Sequence, residues 1–214
     1  MTNTYNNYFV LEGLDGSGKT TQIKAIKELY GKLKEDNPKL PNLVITKEPG
    51  GTEWGQKLRT LMLNGGSDDE IALALAMFSD RVQTMQYVIK PALNNGSIVL
   101  SDRSVLSTLA YQGVSPLRYE TINYIITALS PFLIEPRMIY LLDVPVEVAM
   151  GYSKKADVFE RSGTGFYKGV RTRYLEIAEQ WGVDKVTVID GMKEERVITD
   201  FILNDILEFV GKNI

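Results

Sequence analysis

The sequence predicts an α/β fold: three layers, α/β/α, around a five-stranded parallel sheet. Three observations carry that expectation. Five short apolar runs recur along the chain: Phe9-Val10-Leu11, Leu43-Val44-Ile45, Ile98-Val99-Leu100, Met138-Ile139-Tyr140-Leu141-Leu142 and Val186-Thr187-Val188-Ile189. They lack polar alternation, as do strands of a parallel sheet covered on both faces. Segments of helical spacing lie between them, which calls for right-handed crossover connections. Finally, the first strand runs into a glycine-rich loop that opens a helix.

Taken in order, Tyr8-Phe9-Val10-Leu11 reads as a buried strand feeding Gly13-Leu14-Asp15-Gly16-Ser17-Gly18-Lys19-Thr20, which fits the phosphate-loop pattern G-x-x-x-x-G-K-[ST]. Glycines let the backbone wrap a polyphosphate with several N–H groups pointing inward. The helix that starts there adds its positive dipole end. Gly13 through Thr21 is the expected triphosphate segment, with Lys19 reaching the β/γ-phosphates and the Thr20 hydroxyl on Mg²⁺. The helix is expected over Gln22 to Lys34, with Ile23, Ile26, Leu29 and Leu33 on its apolar side. Asp36 to Asn42, with two prolines, reads as a surface loop.

The second strand runs into Lys47-Glu48-Pro49-Gly50-Gly51-Thr52. Pro-Gly-Gly signals a turn, and Thr52 can cap the next helix with Glu53 in its first turn. That accounts for the turn, but not for a charged Glu48 at the strand end. Asp69 to Ile89 reads as one long helix whose middle is apolar on most sides, so Met77 and Phe78 are core residues by default. Arg81 beside that apolar surface wants an anion, either an internal carboxylate or a ligand phosphate. The third strand ends in Ser101-Asp102-Arg103-Ser104. Beside a phosphate loop, Asp102 can hold Mg²⁺ directly or through water, and Arg103 can clamp a second anion. The plainer alternative is a structural Asp–Arg pair, with Asp102 or Ser104 capping the next helix. That helix carries Ser107, Thr108, Tyr111 and Gln112. Positions 104, 107, 108 and 111 share a polar face suited to a base or sugar. Glu48, Asp102, Arg103 and Asp143 should all lie at the carboxyl edge of the sheet. The basic stretch Ser153 to Arg173 holds Lys154, Lys155, Arg161, Lys168, Arg171 and Arg173 among glycines. It reads as a solvated loop or as a short lid over phosphates, about 153–168. Helices are expected from Tyr167 through Trp181 and from Glu194 to Val210.

At 214 residues a single domain, 1–214, is expected. The net charge of −3 argues against a nucleic-acid binder. The sequence has no Cys, which excludes disulfides and thiol catalysis, and no His, which leaves acid–base work to Asp, Glu, Lys or solvent. Met1 to Asn7 lacks the basic flank and apolar run of a signal peptide, and no apolar stretch reaches membrane-spanning length. The expectation is a soluble, cytoplasmic protein without a membrane partner.

Together these residues resemble the thymidylate kinase family, in its bacterial-type form, over nearly the whole chain. The markers are Glu12-Gly13-Leu14-Asp15-Gly16-Ser17-Gly18-Lys19-Thr20-Thr21, Glu48-Pro49-Gly50-Gly51-Thr52, Asp102-Arg103 with Ser107-Thr108-Leu109-Ala110-Tyr111-Gln112-Gly113, and Leu142-Asp143-Val144. The resemblance implies a P-loop kinase fold and transfer of a phosphoryl group from ATP to dTMP with Mg²⁺, by a homodimer. It implies that Glu48 organises the acceptor site and that Arg59 and Arg103 bind the acceptor phosphate. It also implies that Arg81 contacts thymine, that Thr108, Tyr111 and Gln112 line base and sugar, and that Asp15 orients the acceptor or the metal shell. Two departures stand out. The family usually has Phe four residues before the helix Arg; here that position is Met77, with Phe78 one step and about 100° later. Lids of the bacterial type usually carry D-R-x-E. Here the run is Asp157-Val158-Phe159-Glu160-Arg161, leaving Arg161 as the candidate lid arginine. A kinase of the same fold with broader deoxynucleoside monophosphate specificity is the nearest alternative. A GTPase switch would need an N-K-x-D stretch, which the sequence does not contain.

Overall fold

The computed structural model describes residues 7–152 and 163–211. In chain order its elements are β1 (Tyr8–Gly13), α1 (Lys19–Asp36), β2 (Leu43–Lys47), α2 (Glu53–Leu63), α3 (Glu70–Thr84), a π-turn (Met85–Ile89), α4 (Lys90–Asn94), β3 (Ile98–Asp102), α5 (Val105–Tyr111), α6 (Pro116–Leu129), β4 (Met138–Asp143), α7 (Val146–Tyr152), α8 (Gly163–Trp181), β5 (Val186–Asp190) and α9 (Glu195–Gly211). A short 3₁₀ turn, Ser130–Phe132, follows α6. The five strands form one parallel sheet in the order β2-β3-β1-β4-β5, as the apolar runs predict.

Alternate residues of each central strand serve two cores. Tyr8, Val10, Val99, Ile139 and Leu141 face a cluster with Phe78 of α3, Leu106 and Leu109 of α5, and Val170 and Ile177 of α8. Phe9, Leu11, Ile98, Leu100, Tyr140 and Leu142 face the other, with Ile23, Ile26 and Tyr30 of α1 and Ile198, Ile202 and Ile206 of α9. With both sheet faces apolar, polar alternation has nowhere to appear.

Register brings the functional edge together. Leu11 pairs with Asp102, Lys47 with Asp102, Gly13 with Leu142 and Asp143 with Asp190, so all carboxyl ends lie along one rim. The connections from β1 and β3 leave to opposite sides, and the crevice between them is where open α/β sheets bind ligands.

Two expectations change, and one element is new. The long helix does not stop at Ile89: it passes through the wider π-turn and continues to Asn94. Pro91 donates no N–H and its ring crowds the carbonyl four residues back, and a wide turn ahead of it relieves that crowding. The second change is in α8, which begins at Gly163 rather than Tyr167, so residues 163–168 of the expected lid are its opening turns. Lys154, Lys155 and Arg161 lie outside the described residues. Thirdly, α6, started by a Ser115 cap and Pro116, was not anticipated as a separate element.

Candidate active site

The phosphate loop is built around close approach. A Cβ on Gly13 would lie 2.6 Å from the Leu142 carbonyl and 2.7 Å from Ser17 Oγ, and its φ of +140° suits glycine. Lys19 opens α1 and folds inward, its Nζ donating to the carbonyls of Gly13 at 3.0 Å and Leu14 at 2.7 Å. Burial, aided by the Arg103 charge, brings its ammonium down to about 8. Ser17 Oγ is buried without a partner among the described residues.

At the rim Arg103 adopts φ 77°, unusual for a residue with a side chain. The guanidinium explains why it is tolerated. Nη1 donates to Gly13 O, Ser107 Oγ and Tyr174 Oη, and Nη2 to Asp15 Oδ1 at 2.6 Å. Tyr111 donates to Asp15 Oδ2 at 3.2 Å, and its ring lies 5.2 Å from the guanidinium. Partial desolvation at the rim raises the Asp15 carboxyl, which stays 48% exposed, but the Arg103 and Lys19 charges and these hydrogen bonds outweigh it and hold it at about 2.

Glu48 and Arg81 form a buried pair, Nε to Oε2 at 2.6 Å. Burial pushes the Glu48 carboxyl up to about 7 against the pull of Arg81. Arg81 Nη2 donates to Ser104 O and Thr108 Oγ1, while Nη1 has no partner among the described residues. The Phe78 ring underlies Arg81 at 5.1 Å and is buried in the core. Thr52 caps α2 by accepting from Gly55 N, and Ser104 caps α5, which decides the cap of the third-strand turn.

Two clefts meet at this rim. The larger, about 850 Å³, runs from Asp15, Gly16, Ser17, Gly18, Lys19, Thr20 and Thr21 past Asp102 to Val144, Val148, Tyr152, Gly191 and Lys193. The other is lined by Asp15, Glu48, Arg59, Met77, Arg81, Arg103, Thr108, Tyr111 and Gln112. They share Asp15, Glu48, Arg59 and Arg103. Nearly every residue singled out in the sequence therefore lines one cleft or both. Gly13 and Leu14 serve through their carbonyls on Lys19. Of the two candidates for the base face, Met77, not Phe78, lines the second cleft; Asp143, Lys168, Arg171 and Arg173 line neither cleft, and Arg161 lies outside the described residues.

Several residues went unassigned in the sequence. Glu12, wholly buried, accepts from Ser104 N and Oγ, Ser107 N and Oγ, and Tyr174 Oη, tying β1, α5 and α8 together beneath Arg103. A charged residue closing an apolar strand, at the head of the phosphate-loop marker, was its signal. Beyond Val144, the end of the larger cleft lined by Val148, Tyr152, Gly191 and Lys193 had none. Asp143 is held bidentately by Arg171, at 2.7 and 2.9 Å. Arg171 thus has a carboxylate partner on the rim.

Among the described residues no three Asp, Glu, His or Cys side chains converge as a metal cage. Mg²⁺ needs no such cage, since it takes one or two carboxylates and completes its shell with water and phosphates. Asp102 Oδ1, buried without a partner among the described residues, and Thr20 on the same cleft fit that mode. No described helix is long and apolar enough to cross a membrane.

A family model for thymidylate kinase matches residues 11–202. The chain is 37% identical over 202 residues to a thymidylate kinase of Prochlorococcus marinus strain NATL2A, covering 90% of this chain and 92% of the relative. It is 37% identical to one from Sulfurihydrogenibium sp. strain YO3AOP1, covering 90% and 95%. It is 32% identical to a probable thymidylate kinase of Thermococcus kodakarensis, covering 96% and 99%. With the phosphate loop, the Glu48–Arg81 pair and the Asp102-Arg103 turn assembled on one rim, the chain belongs to the thymidylate kinase family.

Proposed function

We propose that the protein transfers the γ-phosphoryl of ATP to a phosphate oxygen of dTMP, giving ADP and dTDP, with the roles divided between the two clefts. The observation that carries this reading is the shared wall of Asp15, Glu48, Arg59 and Arg103 between the phosphate-loop cleft and the Arg81 cleft. Two nucleotides seated one in each would meet phosphate to phosphate there. ATP takes the larger cleft, its triphosphate along Gly16 to Thr21 and its adenosine toward Tyr152 and Lys193. The acceptor phosphate lies against Arg59 and Arg103. The acceptor oxygen is already anionic, so no strong base is needed, and a sequence without His suffices. Lys19 and Arg103 stabilise charge on the group in transit. Mg²⁺ held through Thr20 and Asp102 supplies further neutralisation at the phosphates when bound.

Arg81 is the base reader. A guanidinium only donates, so it favours the O4 oxygen of thymine and disfavours the amino group that cytosine carries there. Met77 supplies an apolar wall. The fully described sheet with both faces covered supports one kinase domain over 1–214. Exposed Trp54, Leu61, Leu75, Leu117 and Tyr124 on the neighbouring α2, α3 and α6 support a homodimer. A cytoplasmic site of action fits an enzyme that draws on ATP.

The deciding experiment is ADP release measured across dTMP, dUMP, dCMP, dGMP and dAMP. We expect dTMP to lead, with dUMP roughly 10-fold or more behind for want of one methyl group, and the other three near background. Equal turnover of dCMP would overturn the assignment of Arg81.

Met77 and Phe78 separate in their effects. Met77→Ala is expected to weaken dTMP binding by about 3–10-fold, the worth of a thioether contact, at nearly unchanged melting temperature. Phe78→Ala should cost about 3–5 kcal/mol of stability. The check is thymidylate titration beside thermal unfolding; a larger affinity loss at full stability from Phe78→Ala would reverse the two roles.

A further inference from the structure

Asp80, on α3 next to Arg81, is wholly buried and has no part in the roles above. Burying a carboxylate is costly unless it is well bonded. This one accepts from Gly50 N at 3.1 Å, and its Oδ2 has no partner among the described residues. The bond it makes is to a particular peptide. The Pro49–Gly50 unit gives its N–H to Asp80 and its carbonyl to Arg59 Nη1 at 3.2 Å. One rigid amide plane therefore joins a buried carboxylate to an acceptor-side arginine, and turning the plane would break both bonds together.

The surroundings are shaped for this arrangement. A Cβ on Gly55 would fall 1.8 Å from Asp80 Oδ1, so the carboxylate occupies the space that a side chain at position 55 would take. The Arg59 stem packs over Gly50, where a Cβ would stand 3.4 Å from Arg59 Cδ. Gly51, the next residue of the turn, is pressed between Thr46 and Thr84. The Asp80 charge also faces both Arg59 and Arg81, offsetting two cations close together.

We propose that Asp80 is a positioning residue for the acceptor phosphate: it fixes the Pro49–Gly50 peptide so that the carbonyl aims Arg59 into the site. This rests on Arg59 contacting the acceptor. It assigns the buried Asp80 and the small residue at 55 a purpose that a turn alone does not require.

The test is steady-state kinetics with dTMP and ATP varied separately, beside melting temperatures. Asp80→Ala removes the acceptor for Gly50 N–H, and KM for dTMP should rise about tenfold, the loss of one hydrogen bond to a charged group. KM for ATP should change less than about twofold, and kcat should fall by less than KM rises. Asp80→Asn keeps an oxygen for the Gly50 N–H and should return KM for dTMP to within about threefold of the native value. Gly55→Ala displaces the carboxylate and should reproduce the Asp80→Ala kinetics, with no added effect in an Asp80→Ala background. Adding Asp80→Ala to Arg59→Ala should leave KM for dTMP where Arg59→Ala alone puts it.

A lower melting temperature with native KM for dTMP in Asp80→Ala and Gly55→Ala would overturn the proposal, as would effects of Asp80→Ala and Arg59→Ala that multiply. If Asp80→Ala does not fold, Gly55→Ala and Asp80→Asn decide it by the same readout. A native KM for dTMP in folded Arg59→Ala would instead overturn the acceptor assignment of Arg59, and with it the premise here.

Discussion

Lys19→Ala is expected to lower kcat by about 10²–10³, the usual loss when one preorganised charge on a transferring group is removed, while the fold persists. Alanine is a strong helix former and position 19 opens α1, so the helix keeps its first turn. The lost side chain takes with it two bonds to carbonyls of the loop, at Gly13 and Leu14. The same residue should set the alkaline limb of the pH profile. Burial and the Arg103 charge lower its ammonium to about 8. The charged form is the useful one, so kcat/KM for ATP is present below that value and lost as pH rises through it. Bound triphosphate favours the cation, so kcat itself should hold to higher pH. Lys19→Arg, which does not titrate in this range, should lose the limb even where its turnover is poor. Near-native turnover in a folded Lys19→Ala, or an unchanged limb in Lys19→Arg, would remove Lys19 from the chemistry.

The sheet was legible because its three central strands are buried on both faces, and such strands announce themselves as unbroken apolar runs. The carboxyl-edge rule puts Glu48, Asp102, Arg103 and Asp143 on one rim, where the strand register has them. What failed were features decided by neighbours in space. Helix α3 was expected to end before Pro91, and tertiary packing carried it through by way of the π-turn. Met77 and Phe78 differ by one step, and only the rotation of α3 against the sheet tells which meets the cleft; both are apolar, so the pattern treats them alike. Glu12 and Asp80 are buried charges whose donors come from residues up to 162 positions away, Tyr174 on Glu12 being the extreme. No local window contains both partners. Their signal in the local pattern was incongruity, a carboxylate inside or at the edge of an apolar run, and that signal marks a buried polar network without naming its members.

Arg103→Ala should have the largest effect on the acceptor, raising KM for dTMP by about 10²-fold while KM for ATP moves by less than about threefold. The side chain has four partners, Gly13 O, Ser107 Oγ, Tyr174 Oη and Asp15 Oδ1, drawn from β1, the phosphate loop, α5 and α8. Such a residue is held in place rather than left to search, and hydrogen bonds from a held guanidinium to an anion are worth about 1.5–3 kcal/mol each. Alanine at φ 77° is no better suited to that backbone than arginine, so the substitution brings no relief of strain to mask the loss. Arg103→Lys should be nearly as poor, because one ammonium cannot span the fork of partners. Asp15 gives a second readout. It loses the largest of the influences that hold its carboxyl at about 2, so its pKa should rise toward the ordinary carboxylate range. A group of lowered pKa contributes its ionised form above that value and loses it only as pH falls through it. The acid limb of kcat/KM for dTMP that belongs to Asp15 should therefore move upward in Arg103→Ala, from near pH 2 toward the ordinary aspartate value of about 4. Equal rises in KM for ATP and dTMP would take Arg103 off the acceptor phosphate. An acid limb unmoved by the substitution would separate Asp15 from the chemistry altogether.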